Sequence, residues 1–122
     1  MKFEFSHEIT FIPDFNKNKE LPEAEQITVK IKPLILFDLL DLTDVLKQAG
    51  FEKGDSKDVS QEQMRAIVGQ GGKYVPKYCS LIGAEGFDLN DVVNYAHFLP
   101  LATEILFTLI TNSSPTVADV KN

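Results

Sequence analysis

Polar and apolar residues alternate along the start of the chain, with Phe3, Phe5, His7, Ile9 and Phe11 set against Lys2, Glu4, Ser6, Glu8 and Thr10. A period of two, carried by aromatic and β-branched residues, is that of a strand with one buried face. His7 falls on the apolar side of it, where a hydrogen-bonded, partly buried histidine accounts for it. Pro13 ends the pattern, and residues 14–23, DFNKNKELPE, read as a polar, turn-rich connection. Alternation resumes with Ile27, Val29 and Ile31 against Gln26, Thr28, Lys30 and Lys32. Two such strands pair most simply as an antiparallel hairpin, although the loop exceeds the usual hairpin length.

From Pro33 the period changes. The stretch PLILFDLLDLTDVLKQAG places a proline in the first turn of a helix and Gly50 at its C-terminal cap. Leu36, Leu39, Leu40, Val45 and Leu46, flanked by Leu42, make its apolar face. Asp38, Asp41, Asp44, Lys47 and Gln48 make the other, expected to be solvated. The three aspartates lack the further oxygen ligands and turn glycine of a calcium site. Residues 51–59 read as a charged loop. Ser60 and Gln63 form a capping box, which predicts a short helix over residues 61–68, ended by Gly69-Gln-Gly-Gly72. In residues 74–82, YVPKYCSLI, Pro76 suits the first turn of a third short helix, closed by Gly83 and Gly86.

Residues 88–112, DLNDVVNYAHFLPLATEILFTLITN, are the most apolar part. Their polar residues Asn90, Asn94, His97, Glu104, Thr108 and Thr111 draw one narrow stripe at helical spacing, leaving most of the circumference apolar. Asp88 caps this helix and Asp91 adds negative charge to its first turn. Pro100 removes one interior hydrogen bond, so the helix either kinks near His97 or divides in two with Pro100 near the start of the second part. Residues 113–122 have no periodicity and are expected to be a flexible tail. Together these elements predict an α+β fold. It has an N-terminal antiparallel β-hairpin followed by a mainly α-helical bundle of about four helices, in a single domain over residues 1–112.

Composition narrows the function. The chain has 122 residues and a formal net charge of −6, which argues against a nucleic-acid partner. Its lone cysteine, Cys79, has no internal disulfide partner, in keeping with a reducing compartment. The N-terminus carries no apolar signal-peptide core, so secretion is not expected. The apolar run at residues 98–110 is too short to span a membrane and contains Glu104.

Candidate chemistry changes little. Gly72-Lys73 fails the phosphate-loop pattern, because Ile67 and Tyr74 stand where a glycine and a Ser or Thr are needed. Two histidines and one cysteine cannot build a four-ligand zinc site. A Cys79–His97 pair has no local support, and Glu104 would have a raised pKa only if buried. No catalytic residues, metal, cofactor or small-molecule substrate are expected. The alternative is a protein that works by its surfaces. On the last helix Phe98, Leu101, Ile105, Phe107 and Leu109 are large apolar residues at helical spacing, the kind that anchor a helix to a partner. Periodicity leaves open whether they form core or interface.

The order of a strand pair, Lys32-Pro33, an amphipathic helix, a glycine-punctuated middle, the sequence YAHFLPLATEIL and a Ser-rich end resembles the tail assembly chaperones of long, non-contractile-tailed bacteriophages. The resemblance covers residues 3–114 as a pattern of order and texture, and residues 95–110 are its most specific part. It implies a non-catalytic protein in the host cytoplasm, absent from the mature virion. Such a protein would bind the tape-measure and tail-tube proteins during tail assembly and self-associate. Many members also have a longer frameshifted form. The alternative is a small cytoplasmic adaptor or phage connector docking through its C-terminal helix.

Overall fold

The computed structural model describes residues 8–51 and 59–113. The expected strand residues Phe3 to His7, most of the charged loop before Ser60 and nearly all of the expected tail lie outside the described residues. Within them the chain folds as α+β. Strand β1 (Ile9–Phe11) leads through short 3-10 turns at Phe15–Glu20 and Glu23–Glu25 into β2 (Thr28–Ile31). Helix α1 (Leu36–Gln48) and helix α2 (Gln61–Tyr78) follow, then β3 (Cys79–Ile82), α3 (Leu89–Asn94), a 3-10 turn at Ala96–Phe98 and α4 (Leu99–Ser113).

The hairpin forms as the alternation requires, with Ile9 opposite Ile31 and Phe11 opposite Val29. Its long connection is held by Asn18, which is buried. The Asn18 Nδ2 donates to the carbonyls of Pro13 and Ile27, both at 2.9 Å, and its Oδ1 accepts the Ile27 N–H at 2.8 Å. One side chain thus satisfies the backbone at both ends of the loop, which is how a loop this long stays closed. Two consecutive residues beside it, Asn16 and Lys17, adopt left-handed backbone angles (φ 51° and 58°).

Two expectations for the middle of the chain are corrected. The helix that starts at the Ser60–Gln63 capping box does not stop at the glycines; it runs 18 residues to Tyr78, with Pro76 in its last turn. The glycines are tolerated because the helix is docked along its length. Gly71 is buried against α3, where a Cβ would lie 3.3 Å from Val93 Cγ1, while Gly69 and Gly72 face open space. Residues 79–82, expected to be helical, instead form a third strand antiparallel to β2, with Val29 opposite Leu81 and Ile31 opposite Cys79. Cys79 and Leu81 face inward while Ser80 and Ile82 are exposed, a period of two too short to stand out behind Pro76.

The long C-terminal helix divides rather than kinks. Asp88 and Asp91 form a reciprocal capping box for α3, the chain extends at Tyr95, and Pro100 falls in the first turn of α4, where its missing N–H is harmless. Leu101, Ala102, Ile105, Leu106 and Leu109 of α4 are buried, with α2 as the main neighbour, in the core cluster that also takes in Val29 and Ile31 of β2. Each of the fully buried leucines contributes about 1.5–3 kcal/mol relative to exposure.

Candidate functional site

The start of α1 is fixed by its backbone donors. Leu34 is buried, and its N–H donates to Ser113 Oγ at 2.8 Å, tying the entry of α1 to the end of α4. The Ile35 N–H, an orphan of the first turn, donates to the Tyr78 hydroxyl at 3.3 Å. That hydroxyl in turn donates to Asp38 Oδ2 at 2.5 Å, and Lys77 Nζ lies 3.0 Å from the same oxygen. One turn along, Asp41 Oδ2 accepts from the Tyr74 hydroxyl and from Lys73 Nζ, the latter at 3.1 Å. Rising along α1 means descending along α2, so the two helices run antiparallel on this seam.

The electrostatics are those of a clamp. The hydrogen bond from Tyr78, and then that from Lys77, hold the Asp38 carboxyl below the ordinary carboxylate range. Tyr74 and Lys73 do the same for Asp41. Burial, reinforced by the neighbouring carboxylate, pushes both tyrosines up, so they remain protonated donors. Asp38 and Asp41 are therefore not the solvated face expected from the sequence. The Asp38 side chain is only 10% exposed, and that of Asp41 33%. Asp44, by contrast, is exposed as expected.

Turning the aspartates inward turns apolar side chains outward. Leu39, Leu42 and Leu46 enter the core, but Leu36, Phe37 and Leu40 are 67%, 77% and 60% exposed, and Ile35 beside them is 57% exposed. Leu36 and Leu40 were expected on the buried face; the Tyr–Asp clamp rotates the helix so that they leave it. Together they make a contiguous apolar ridge on one helix face. An open depression lined by Phe37, Leu40, Asp41, Thr43, Asp44 and Lys47 continues it toward the C-terminal end of α1. Isolated exposed leucines are ordinary, whereas a cluster of this kind marks a contact surface.

The anchors named on the last helix lie elsewhere. Leu101, Ile105 and Leu109 have no exposed surface and belong to the core. Phe98 is half-buried, stacked on Phe87 with ring centroids 4.6 Å apart and next to Phe15 and His97. Phe107 is half-buried edge-on to Phe51 at 5.5 Å. Phe107 also borders an open depression with Ile9, Glu104, Thr108 and Thr111, but none of the five side chains is itself exposed, and the cluster of exposed large apolar side chains lies on α1. The signal for that face was in the sequence as two matched spacings, Asp38/Asp41 and the repeated Lys-Tyr of Lys73-Tyr74 and Lys77-Tyr78. Read together, they pair one helix edge with another.

The remaining candidates are structural in their contacts. Glu104 accepts the Asp14 N–H with both carboxylate oxygens at 2.9 Å, joining the loop after β1 to α4. Burial pushes its carboxyl above the ordinary glutamate range, with the Asp14 N–H opposing that shift. Cys79 is buried on β3, and desolvation pushes its thiol up to about 12. His97 is exposed, with its ring against Phe15 and Phe98. Among the described residues no group of three or more His, Cys, Asp or Glu is placed to hold a metal, and no helix is long and apolar enough to cross a membrane. Compared with known proteins, the chain matches no family model, no curated protein and no solved structure.

Proposed function

We propose that this protein is a non-catalytic binding factor whose contact surface is the outward face of α1, and that it serves as a phage tail assembly chaperone. The observation that carries the first part is the 77% exposure of Phe37 between Leu36 and Leu40, on a helix whose inner face is clamped by hydrogen-bonded aspartates. Large apolar side chains at helical spacing supply most of the energy when helices dock. The second part rests on the resemblance carried by residues 95–110 and its order of elements. In that role the ridge would cover apolar stretches of the tape-measure protein, and the acidic exterior would keep the assembly in solution. The adaptor reading shares the same surface and differs only in the partner.

Co-expression with the tape-measure protein of its own genome tests the proposal. The wild-type chain is expected to keep that protein in the soluble fraction. The double variant Phe37→Asp/Leu40→Asp is expected to fold and to lose the effect. A folded double variant that still solubilises the tape-measure protein removes α1 from the reading. A wild-type chain with no effect removes the chaperone role.

A further inference from the structure

Helix α1 carries two overlapping apolar stripes and buries one of them. In the observed seating Leu39, Leu42 and Leu46 are buried beside Asp38, while Leu36 and Leu40 are exposed. At roughly 100° per residue, Leu36, Leu39, Leu40, Thr43 and Leu46 form a second stripe, which shares Leu39 and Leu46 with the first and lies about 60° round the helix from it. Its polar member, Thr43, already donates its hydroxyl to the Leu39 carbonyl, so it can enter a core without an unpaired donor. Lys47, at the end of this stripe, can reach water from the last turn. α2 packs more extensively on α4 than on α1, so a turn of α1 leaves the α2–α4 contact in place. What holds the observed seating is polar. Tyr78 and Lys77 bind Asp38, and Tyr74 and Lys73 bind Asp41, all from α2. Both lysines are more than half exposed, so theirs are surface ion pairs of small worth, whereas the tyrosines are buried.

We infer that α1 is a two-position helix whose seating is selected by the Tyr74 and Tyr78 hydroxyls. In the second position the helix is turned by about 60°, which buries Leu36 and Leu40 with Leu39 and Leu46, moves Leu42 to the edge of the core and returns Asp38 and Asp41 to water. The exposed ridge is then broken, with Phe37 alone left outside. Two hydrogen-bonded carboxylates favour one position and two buried leucines the other, so the balance is set by the clamp. Tyr74 and Tyr78 are thus positioning residues for the ridge, acting on it from the neighbouring helix. That consequence rests on the docking reading above; the two positions themselves do not. A partner that binds only the ridge-out position has its apparent affinity lowered by the share of chains in the other, which the two tyrosines keep small.

Thiol labelling of the full chain tests this at Leu40→Cys and Leu42→Cys, each made with and without Tyr74→Phe/Tyr78→Phe, with far-UV circular dichroism to show that each variant is folded. Cys79 is buried and its thiol is pushed up to about 12, so it stays silent. With both tyrosines present, Leu40→Cys is expected to label quickly and Leu42→Cys to be protected. Without them, Leu40→Cys is expected to slow and Leu42→Cys to quicken, each by about tenfold, the shift that follows from losing two charge-assisted hydrogen bonds. A general loosening of α1 would raise both rates together, and that result overturns the inference. A folded double tyrosine variant whose two rates match those of its parent also overturns it, and the docking face is then decided by the co-expression experiment alone. If Tyr74→Phe/Tyr78→Phe does not fold, Tyr74→Phe alone, which keeps the bond between Tyr78 and Asp38, is expected to move the two rates in the same opposite directions to a smaller extent. Rates unmoved by that single change overturn the inference.

Discussion

Asp38 and Tyr78 meet at 2.5 Å across the seam between α1 and α2, and that hydrogen bond decides which side of α1 faces solvent. The Tyr78 hydroxyl also accepts the Ile35 N–H, so one oxygen fixes both the first turn of α1 and the rotation of the helix about its axis. Tyr78→Phe leaves Asp38 with Lys77 alone and Ile35 N–H without its acceptor. The urea midpoint of the variant is expected to fall with an unchanged slope, because stability changes while the surface exposed on unfolding does not.

Acid should expose the same clamp. Both Asp38 and Asp41 have carboxyls held below their unfolded values, chiefly by the tyrosine hydrogen bonds. Their contribution is full above the unfolded carboxylate range and is lost as pH falls through the lowered folded values, from about pH 4 downward. The double variant Asp38→Asn/Asp41→Asn is expected to be less stable at pH 7 and to lose less further stability on acidification. Urea unfolding at a series of pH values reads both effects.

The first two strands, the capping box at Ser60, the cap at Asp88 and a break near Pro100 were legible because each rests on local chemistry that tertiary contacts reinforce. The inside and outside of α1 were not. Its leucines occupy more of the circumference than one core face can take, so the pattern of apolar positions fits two rotations. The choice is made by Tyr74 and Tyr78, more than thirty residues away in sequence. For the same reason the apolar breadth of α4 left core and interface both open. It is filled by α2, which continues through a run of glycines that local propensity would end.

Those glycines differ in what they do. A methyl group added at Gly69 or Gly72 would meet no neighbour within 4 Å, so alanine at either is expected to stabilise by about 0.5–1 kcal/mol through helix propensity. At Gly71 the methyl would press on Val93 Cγ1 at 3.3 Å, and Gly71→Ala is expected to gain nothing or to lose stability. Chemical denaturation of the three single variants distinguishes a docked helix from a flexible connection, in which all three would be alike.

The most direct measurement sets one apolar residue of α1 against one of α4. Thermal melts of Phe37→Asp and Leu101→Asp report whether each site faces water or core. Phe37 is 77% exposed and Leu101 fully buried. Phe37→Asp is expected to melt within about 4 °C of the wild type, as an exposed substitution does, while Leu101→Asp, which buries an unpaired charge, is expected not to fold. A Phe37→Asp chain that unfolds, or a Leu101→Asp chain that melts like the wild type, would contradict the assignment of the contact surface to α1.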